Sequence, residues 1–524
     1  MLKHRFFAPS NYYNRYLVGI ALLIIGLPFS KFLMSTAQFF LLGNWLLFYR
    51  NPIDSFKSFF NNRVALILSG IYLLHVVGML YSSDLKYGLD ELRKKLPLLF
   101  LPVIIASSPI IHKEHIKLLL KIFVVSVLAS SLVSFAIYSG ITGKEIIDIR
   151  TITIFVSHIR FSLMVCFSII ISAYLFLNET NNYRYIFLIL IGWFIYMLFI
   201  LESITGLSLL ALTIFLLLTF YIFKNSSKKI QYIYFFSVLT IIMVAIGYVI
   251  TIYQKVSNVT PIDFSSLDKQ SANGELYYHN TESKEHENGN YIWIYIANNE
   301  LKNTWNELSH IPFDSLDLKG NPIQYTLVRF LASKGLRKDR DGLLKLTKQE
   351  ITAIEKGIAN VEYLQNSSIH KRLHQIIWEI YNYKNGYNPN GHSLTMRLEF
   401  WKAAWGIIKE NPLLGVGTGD VNNAFLEQYN KIKSPLDSHN RLRAHNQYLE
   451  IAVALGIIGL FIFLFCIAYP IWLNKNELNF IYASFIIIAL GSMITEDTLE
   501  TQAGVTFFAL FNSLLLIKGE NTSK

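Results

Sequence analysis

The sequence predicts an all-α integral membrane protein of about twelve transmembrane helices, interrupted by one large helical segment outside the membrane. Three observations predict it. Charged residues make up 16% of the 524-residue chain, against about 25% in a soluble domain. Apolar runs approaching the roughly 20 residues that cross a bilayer recur along its length. The polar stretch Gln254–Asn440 stands between nine such runs and three more.

In chain order the runs fall near Tyr16–Phe29, Phe32–Tyr49, Val64–Leu80, Leu96–Ile111, Ile116–Tyr138, His158–Leu177, Tyr185–Leu201, Ser203–Phe223 and Ile230–Tyr253. Tyr448–Leu473, Leu478–Thr495 and Gln502–Ile517 follow the polar stretch. Periodicity and length together read them as helices. The first has a basic start but no small-residue cleavage site after it, so it reads as a retained helix. Three domains follow: a membrane bundle over 1–253, a segment over 254–440, and a second bundle over 441–524.

Lys and Arg in the short loops set the orientation. With the N-terminus inside, fifteen fall on the cytoplasmic side, among them Lys3, Arg5, Arg15, Arg50 and Lys524. Eight fall outside, among them Lys86, Lys95, Lys144 and Arg160. This places both termini in the cytoplasm and 254–440 outside. The net charge of +11 is then mostly membrane-surface bias, which points to lipids and not to nucleic acid. Cys166 and Cys466 both lie in apolar runs, so the outer segment has neither a disulfide framework nor a thiolate metal site.

Within that segment, Pro261–Asn290 reads as loop. Helical patterning marks "TLVRFLASKGLRKD", "LTKQEITAIEKGI" and "HKRLHQIIWEIYNY". Then comes "LTMRLEFWKAAWGIIKENP", bounded by a Ser393 or Thr395 cap and by Pro412. Arg397, Trp401 and Trp405 share one face of this helix, which suits either the membrane interface or packing on the bundle.

"GVGTGD", Gly415–Asp420, lacks the spacing and strand–helix context of a nucleotide loop and reads as a turn. His279 with His286, and His370 with His374, have loose ligand spacing, but no paired carboxylate or Cys completes either set. The second pair sits beside Lys371 and Arg372, as on a solvated helix face. No catalytic metal and no cofactor are expected.

Three cationic sites remain at the outer membrane boundary. Arg160 stands at the mouth of the sixth run, and Arg397 on the helix before Pro412. Arg441, Arg443, His445 and Asn446 crowd the start of the tenth. Snorkelling anchors would favour the opposite, positive-inside face. An arginine fork suits phosphate oxygens, so these residues suit a lipid-linked phosphate or pyrophosphate. His445 opens a helix among arginines, and both influences favour neutral imidazole, able to act as a general base.

"SLTMRLEFWKAAWGIIKENPLLGVGTGD" followed by "RAHNQYLEIAVALGIIGLFIFL" resembles the O-antigen ligase/polymerase (Wzy_C-type) membrane family. The order matches: an Arg-bearing helix, a Gly-rich turn, then His-Asn-x-Tyr-Leu opening a span. The resemblance is most specific over Ser393–Phe465 and extends to the "TEDTLETQAG" hairpin. It implies a GT-C-like membrane fold and metal-independent chemistry. It also implies transfer of a glycan from undecaprenyl pyrophosphate to the lipid A core sugars, in the cell inner membrane. By position His445 would activate the acceptor, while Arg160 and Arg397 would bind the pyrophosphate. Polymerisation of lipid-linked repeats and glycosylation of proteins are the family's other activities. A transporter is the alternative from another class. It would more often show internal repeats and ionisable residues midway along spans, of which His75 is the clearest here.

Overall fold

A computed structural model describes residues 11–48, 52–143, 149–365, 368–476 and 478–519. Lys3, Arg5, Arg50, Lys144 and Lys524 lie outside the described residues. Helix predominates, and the described residues contain one two-stranded antiparallel sheet, His286–Glu287 with Asn290–Tyr291. This agrees with the all-α membrane class that the sequence predicts.

Seven of the described helices are long and apolar enough to cross a membrane, or eight if Lys31–Phe48 and Ile53–Asn61 form one bent span. The sequence predicts twelve. The difference arises where polar residues cut an apolar run short. Arg63–Met79, Phe480–Ser492 and Gln502–Leu516 are shorter apolar helices, with Asn62, Asn479 and Thr501 accepting first-turn amide hydrogens at their starts. The Leu96–Ile111 run yields an 11-residue helix, Pro97–Ser107. At about 1.5 Å per residue these fall short of the roughly 30 Å hydrocarbon layer.

The described residues form two compact units: those up to 143, 149–224 and those from 396 onward in one, and 225–395 in the other. These limits differ from the expected 254–440. The Lys228–Ser257 helix groups with the inserted segment, and Met396–Asn440 groups with the apolar helices.

In the first unit Phe123, Phe167, Phe485, Phe507 and Phe511 interlock, with ring centroids 5.0–6.2 Å apart. The Arg63–Met79 helix packs against a helix that is broken. Gln447–Leu473 is non-helical at Gly456, where φ is 68°. A broken helix leaves amides and carbonyls unpaired, which apolar surroundings penalise. The turn after Pro412 supplies the missing partners. Val416 and Gly417 donate to the carbonyls of Val453 and Ala454 at 2.9 and 2.8 Å, while Ile457 donates to Pro412 at 2.8 Å. Backbone meets backbone so closely that a Cβ on Gly415 would lie 2.5 Å from Ala454. "GVGTGD" is therefore a splice for an interrupted helix. Asp420 completes it by accepting from the amides of Ser83 and Asp84 at 2.7 and 2.8 Å.

In the second unit a core forms from Ile292, Ile296, Trp305, Phe313, Phe330 and Leu331. The Asn298–Leu308, Ile323–Ser333 and Lys348–Glu355 helices surround it, the last opened by a Thr347/Glu350 capping box. Buried Glu287 receives two hydrogen bonds from Arg329, at 2.8 and 2.6 Å, and one from Asn360 at 2.7 Å. The Lys228–Ser257 helix packs Ile252 and Val256 on Ile377 and Trp378.

Candidate functional site

Four stretches far apart in sequence build the site, Arg160 coming from the start of the His158–Asn178 helix. The Ser393–Glu410 helix contributes Arg397, Phe400 and Trp401. The Trp401 indole donates to the carbonyl of Ala444 at 3.0 Å, and Phe400 lies 5.6 Å from the His445 ring. Trp405, on the same face, is exposed. His445 takes a left-handed backbone conformation, φ 46°, which is uncommon for a residue with a side chain and concentrates at functional positions. Asn446 follows as the helix cap, its Oδ1 accepting from the amides of Tyr448 and Leu449.

The turn between the last two apolar helices is held over this point. Gln447 N donates to the carbonyl of Met493 at 2.8 Å, and Asn446 Nδ2 to that of Ile494 at 2.9 Å. Gln447 also bonds the Leu499 amide at 2.6 Å and Glu500 at 3.1 Å. These contacts bring Glu496 and Asp497 to the histidine. Asp497 Oδ1 lies 3.6 Å from His445 Nδ1 and 3.7 Å from Arg160 Nη2. Arg397 Nη2 donates to Glu496 Oε1 at 2.8 Å.

Arg160, Arg397 and His445 thus converge on one pair of carboxylates. Their polar groups are only partly engaged, for Arg160 Nε, Arg397 Nε and His445 Nδ1 are buried without a hydrogen-bond partner. Such donors are costly to leave unmet. Burial pushes the Glu496 carboxyl up despite Arg397 and His445. Burial also raises Asp497, but His445 and Arg443 outweigh it and the net direction is down. The two neighbouring acids are therefore pushed apart, as in sites that hold or move protons.

The other expected ligands do not join this cluster. Arg441 bonds the Leu436 carbonyl and Asn430 at 3.0 and 2.6 Å. Arg443 bonds the Tyr87 hydroxyl at 2.9 Å and lies 3.3 Å from both Glu450 and Glu500. Lys95, 1% exposed, bonds Glu91 and Glu500 at 2.8 and 2.6 Å. This buried ionic network carries the 493–501 turn. Sequence reasoning missed its acids and missed Glu496 and Asp497, although the hairpin containing Glu496, Asp497 and Glu500 was legible as a motif.

His445, Glu496 and Asp497 offer ligand atoms within 4.8 Å of one another, a spacing that can hold a metal ion. Two guanidinium groups already supply positive charge to the same carboxylates. His279 and His286 do not come together as ligands. His279 contacts the Asp268 carbonyl, and His286 the carbonyls of Lys284 and Val256.

A family model described as O-antigen ligase (Wzy_C) matches residues 355–464, a span that includes Arg397, the 412–420 turn and His445. A protein of Haemophilus influenzae (strain Rd), described as uncharacterized, is 28% identical over 160 residues, 30% of this chain. The chain covers 38% of that relative's length.

Proposed function

We propose that this multi-pass membrane chain, which carries an O-antigen ligase-type domain over residues 355–464, transfers a glycan from undecaprenyl pyrophosphate to the lipid A core. The observation that carries the reading is the convergence of Arg160, Arg397 and His445, each with a buried nitrogen that lacks a partner.

In this reading the pyrophosphate of the donor takes the unmet guanidinium hydrogens of Arg160 and Arg397. His445 removes the proton of the acceptor hydroxyl as its oxygen attacks the anomeric carbon. The bond from that carbon to the pyrophosphate oxygen breaks on the opposite face, which inverts the configuration. The leaving group departs with its electron pair, and its charge is met by the arginines. Asp497 faces Nδ1, which leaves Nε2 for the acceptor. General-base help is worth about 10²–10⁴-fold, and fixed cationic donors on the leaving group add a comparable factor. Both termini would lie in the cytoplasm and the site on the periplasmic side of the inner membrane.

Deleting the gene and comparing surface lipopolysaccharide with lipid-linked glycan tests this. Loss of long-chain lipopolysaccharide with accumulation of full-length lipid-linked glycan supports ligation. Accumulation of single repeats means polymerisation, and unchanged lipopolysaccharide excludes both.

A further inference from the structure

A cavity that the proposed transfer does not use lies at the far end of the helix that His445 opens. Gln447–Leu473 is long and apolar enough to cross a membrane, so Asn474, which follows it, stands at the other boundary of the hydrocarbon layer. There Asn474, the start of the Lys113–Tyr138 helix, the start of Phe480–Ser492 and residues 514–519 line a cavity of about 410 Å³. Sites for small ligands run from about 300 to 1,000 Å³.

Its walls are fixed by hydrogen bonds and close packing. Asn474 Nδ2 donates to the Leu516 carbonyl at 3.2 Å, and Asn62 Nδ2 to the Lys518 carbonyl at 2.9 Å. A Cβ on Gly519 would lie 2.5 Å from the Ser108 carbonyl oxygen, so the backbone after the last helix closes against the 108–110 stretch. Asn479 Oδ1 caps its helix by accepting from the Tyr482 amide at 2.8 Å.

The lining has two chemistries. Ile105, Ile116, Leu478 and Leu514 make one part apolar. Lys113 and Lys518, both exposed, are the charged residues among the described lining. Glu114 shares the first turn with Lys113 but does not line the cavity. Two helix N-termini add partial positive charge on the side of the lysines.

We propose that this cavity binds an anionic phospholipid. Its phosphate and headgroup meet Lys113, Lys518 and the two helix starts, while its acyl chains run along the apolar lining into the bilayer. Free phosphate would use the cations and leave the apolar part unfilled. Basic pockets between spanning helices on the cytoplasmic side take anionic headgroups, and the Lys and Arg bias assigns this end to that side. The bound lipid then bridges helix ends that meet from distant parts of the chain.

The test uses the full chain in neutral detergent and native mass spectrometry. The probes are phosphatidylglycerol, phosphatidylcholine with the same acyl chains, and inorganic phosphate alone. One phosphatidylglycerol should stay bound per chain, and phosphatidylcholine should bind more weakly. Each lysine near an anionic lipid is worth about fivefold, so Lys113→Ala with Lys518→Ala should weaken phosphatidylglycerol binding about 25-fold. Leu478→Trp fills the apolar part and should weaken it with both lysines in place. Lys228→Ala with Lys229→Ala, the control for bulk surface charge, should leave it unchanged. If Leu478→Trp fails to give a monodisperse protein, the two lysine pairs decide. Equal binding of the two lipids, undiminished binding in the Lys113/Lys518 pair variant or in Leu478→Trp, or an equal loss in the control pair overturns the proposal. Retention of inorganic phosphate without a lipid adduct would make this a phosphate site and overturns it too.

Discussion

Arg397 donates to Glu496 at 2.8 Å across a separation of 99 residues. An arginine read as a phosphate ligand is thus held in place by a carboxylate before any donor arrives. The pairing fixes the guanidinium plane while its Nε hydrogen stays unmet. A preset donor costs less to organise in the transition state.

Arg397→Lys keeps the charge and loses the planar fork. Transfer by purified protein should fall about 10²-fold or more in both Arg397→Lys and Arg397→Ala, with normal abundance in the membrane. Wild-type turnover in the lysine variant would make Arg397 an interface anchor.

Lys95 is the buried cation between Glu91 and Glu500. Lys95→Met leaves two buried carboxylates short of a partner, which costs about 3–5 kcal/mol. Thermal unfolding in detergent should show a large drop in Tm. A shift of under a degree would mean that the network does not hold the 493–501 turn.

Burial raises the Glu500 carboxyl, but Lys95 and Arg443 outweigh it and hold it well below the ordinary carboxylate range. A depressed acid contributes stability that is full above its unfolded pKa, about 4.3, and is lost as pH falls. Wild-type Tm should therefore drop below pH 4, and Glu500→Gln should flatten that slope. An unchanged slope in Glu500→Gln would assign the acid sensitivity to another group.

Gly456→Ala places a Cβ 2.1 Å from the Leu413 carbonyl oxygen at a φ of 68°. The strain should cost about 1–3 kcal/mol and lower the folded yield. Gly192, where a Cβ would meet nothing within 4 Å, is the control position. Equal yields for the two alanine variants would show that the splice yields without cost.

Orientation has its own test. Cys166 and Cys466 are buried, so a cysteine in place of exposed Glu282 reports alone. An impermeant thiol reagent should label it from the periplasmic side. Labelling only after the inner membrane is opened would invert the topology and move the site to the cytoplasm.

Local signals made part of this site legible. Arg160 and His445 stand at the ends of apolar runs, and Arg397 on a helix bounded by recognisable stop signals. Their positions needed only periodicity and caps. Arg441 and Arg443 stand equally close to the boundary, yet their partners are Asn430, Tyr87 and Glu450, which only tertiary folding brings near. Glu496 and Asp497 were hidden for the same reason, since the approach of the 493–501 turn depends on Asn446 and Gln447. The number of long apolar helices departs from twelve where a polar residue starts a helix late: Asn479 and Thr501 shorten two apolar runs. Gly456 breaks another helix without removing it from that number.

The central claim is that His445 carries the acceptor proton, and His445→Gln measures it most directly. Glutamine keeps a hydrogen-bonding side chain but cannot act as a base near neutral pH. The variant should insert normally and still bind undecaprenyl-pyrophosphate glycan through Arg160 and Arg397. Its transfer rate should fall about 10²-fold or more. A purified His445→Gln protein that transfers glycan at the wild-type rate would contradict the account and leave His445 a strained structural residue.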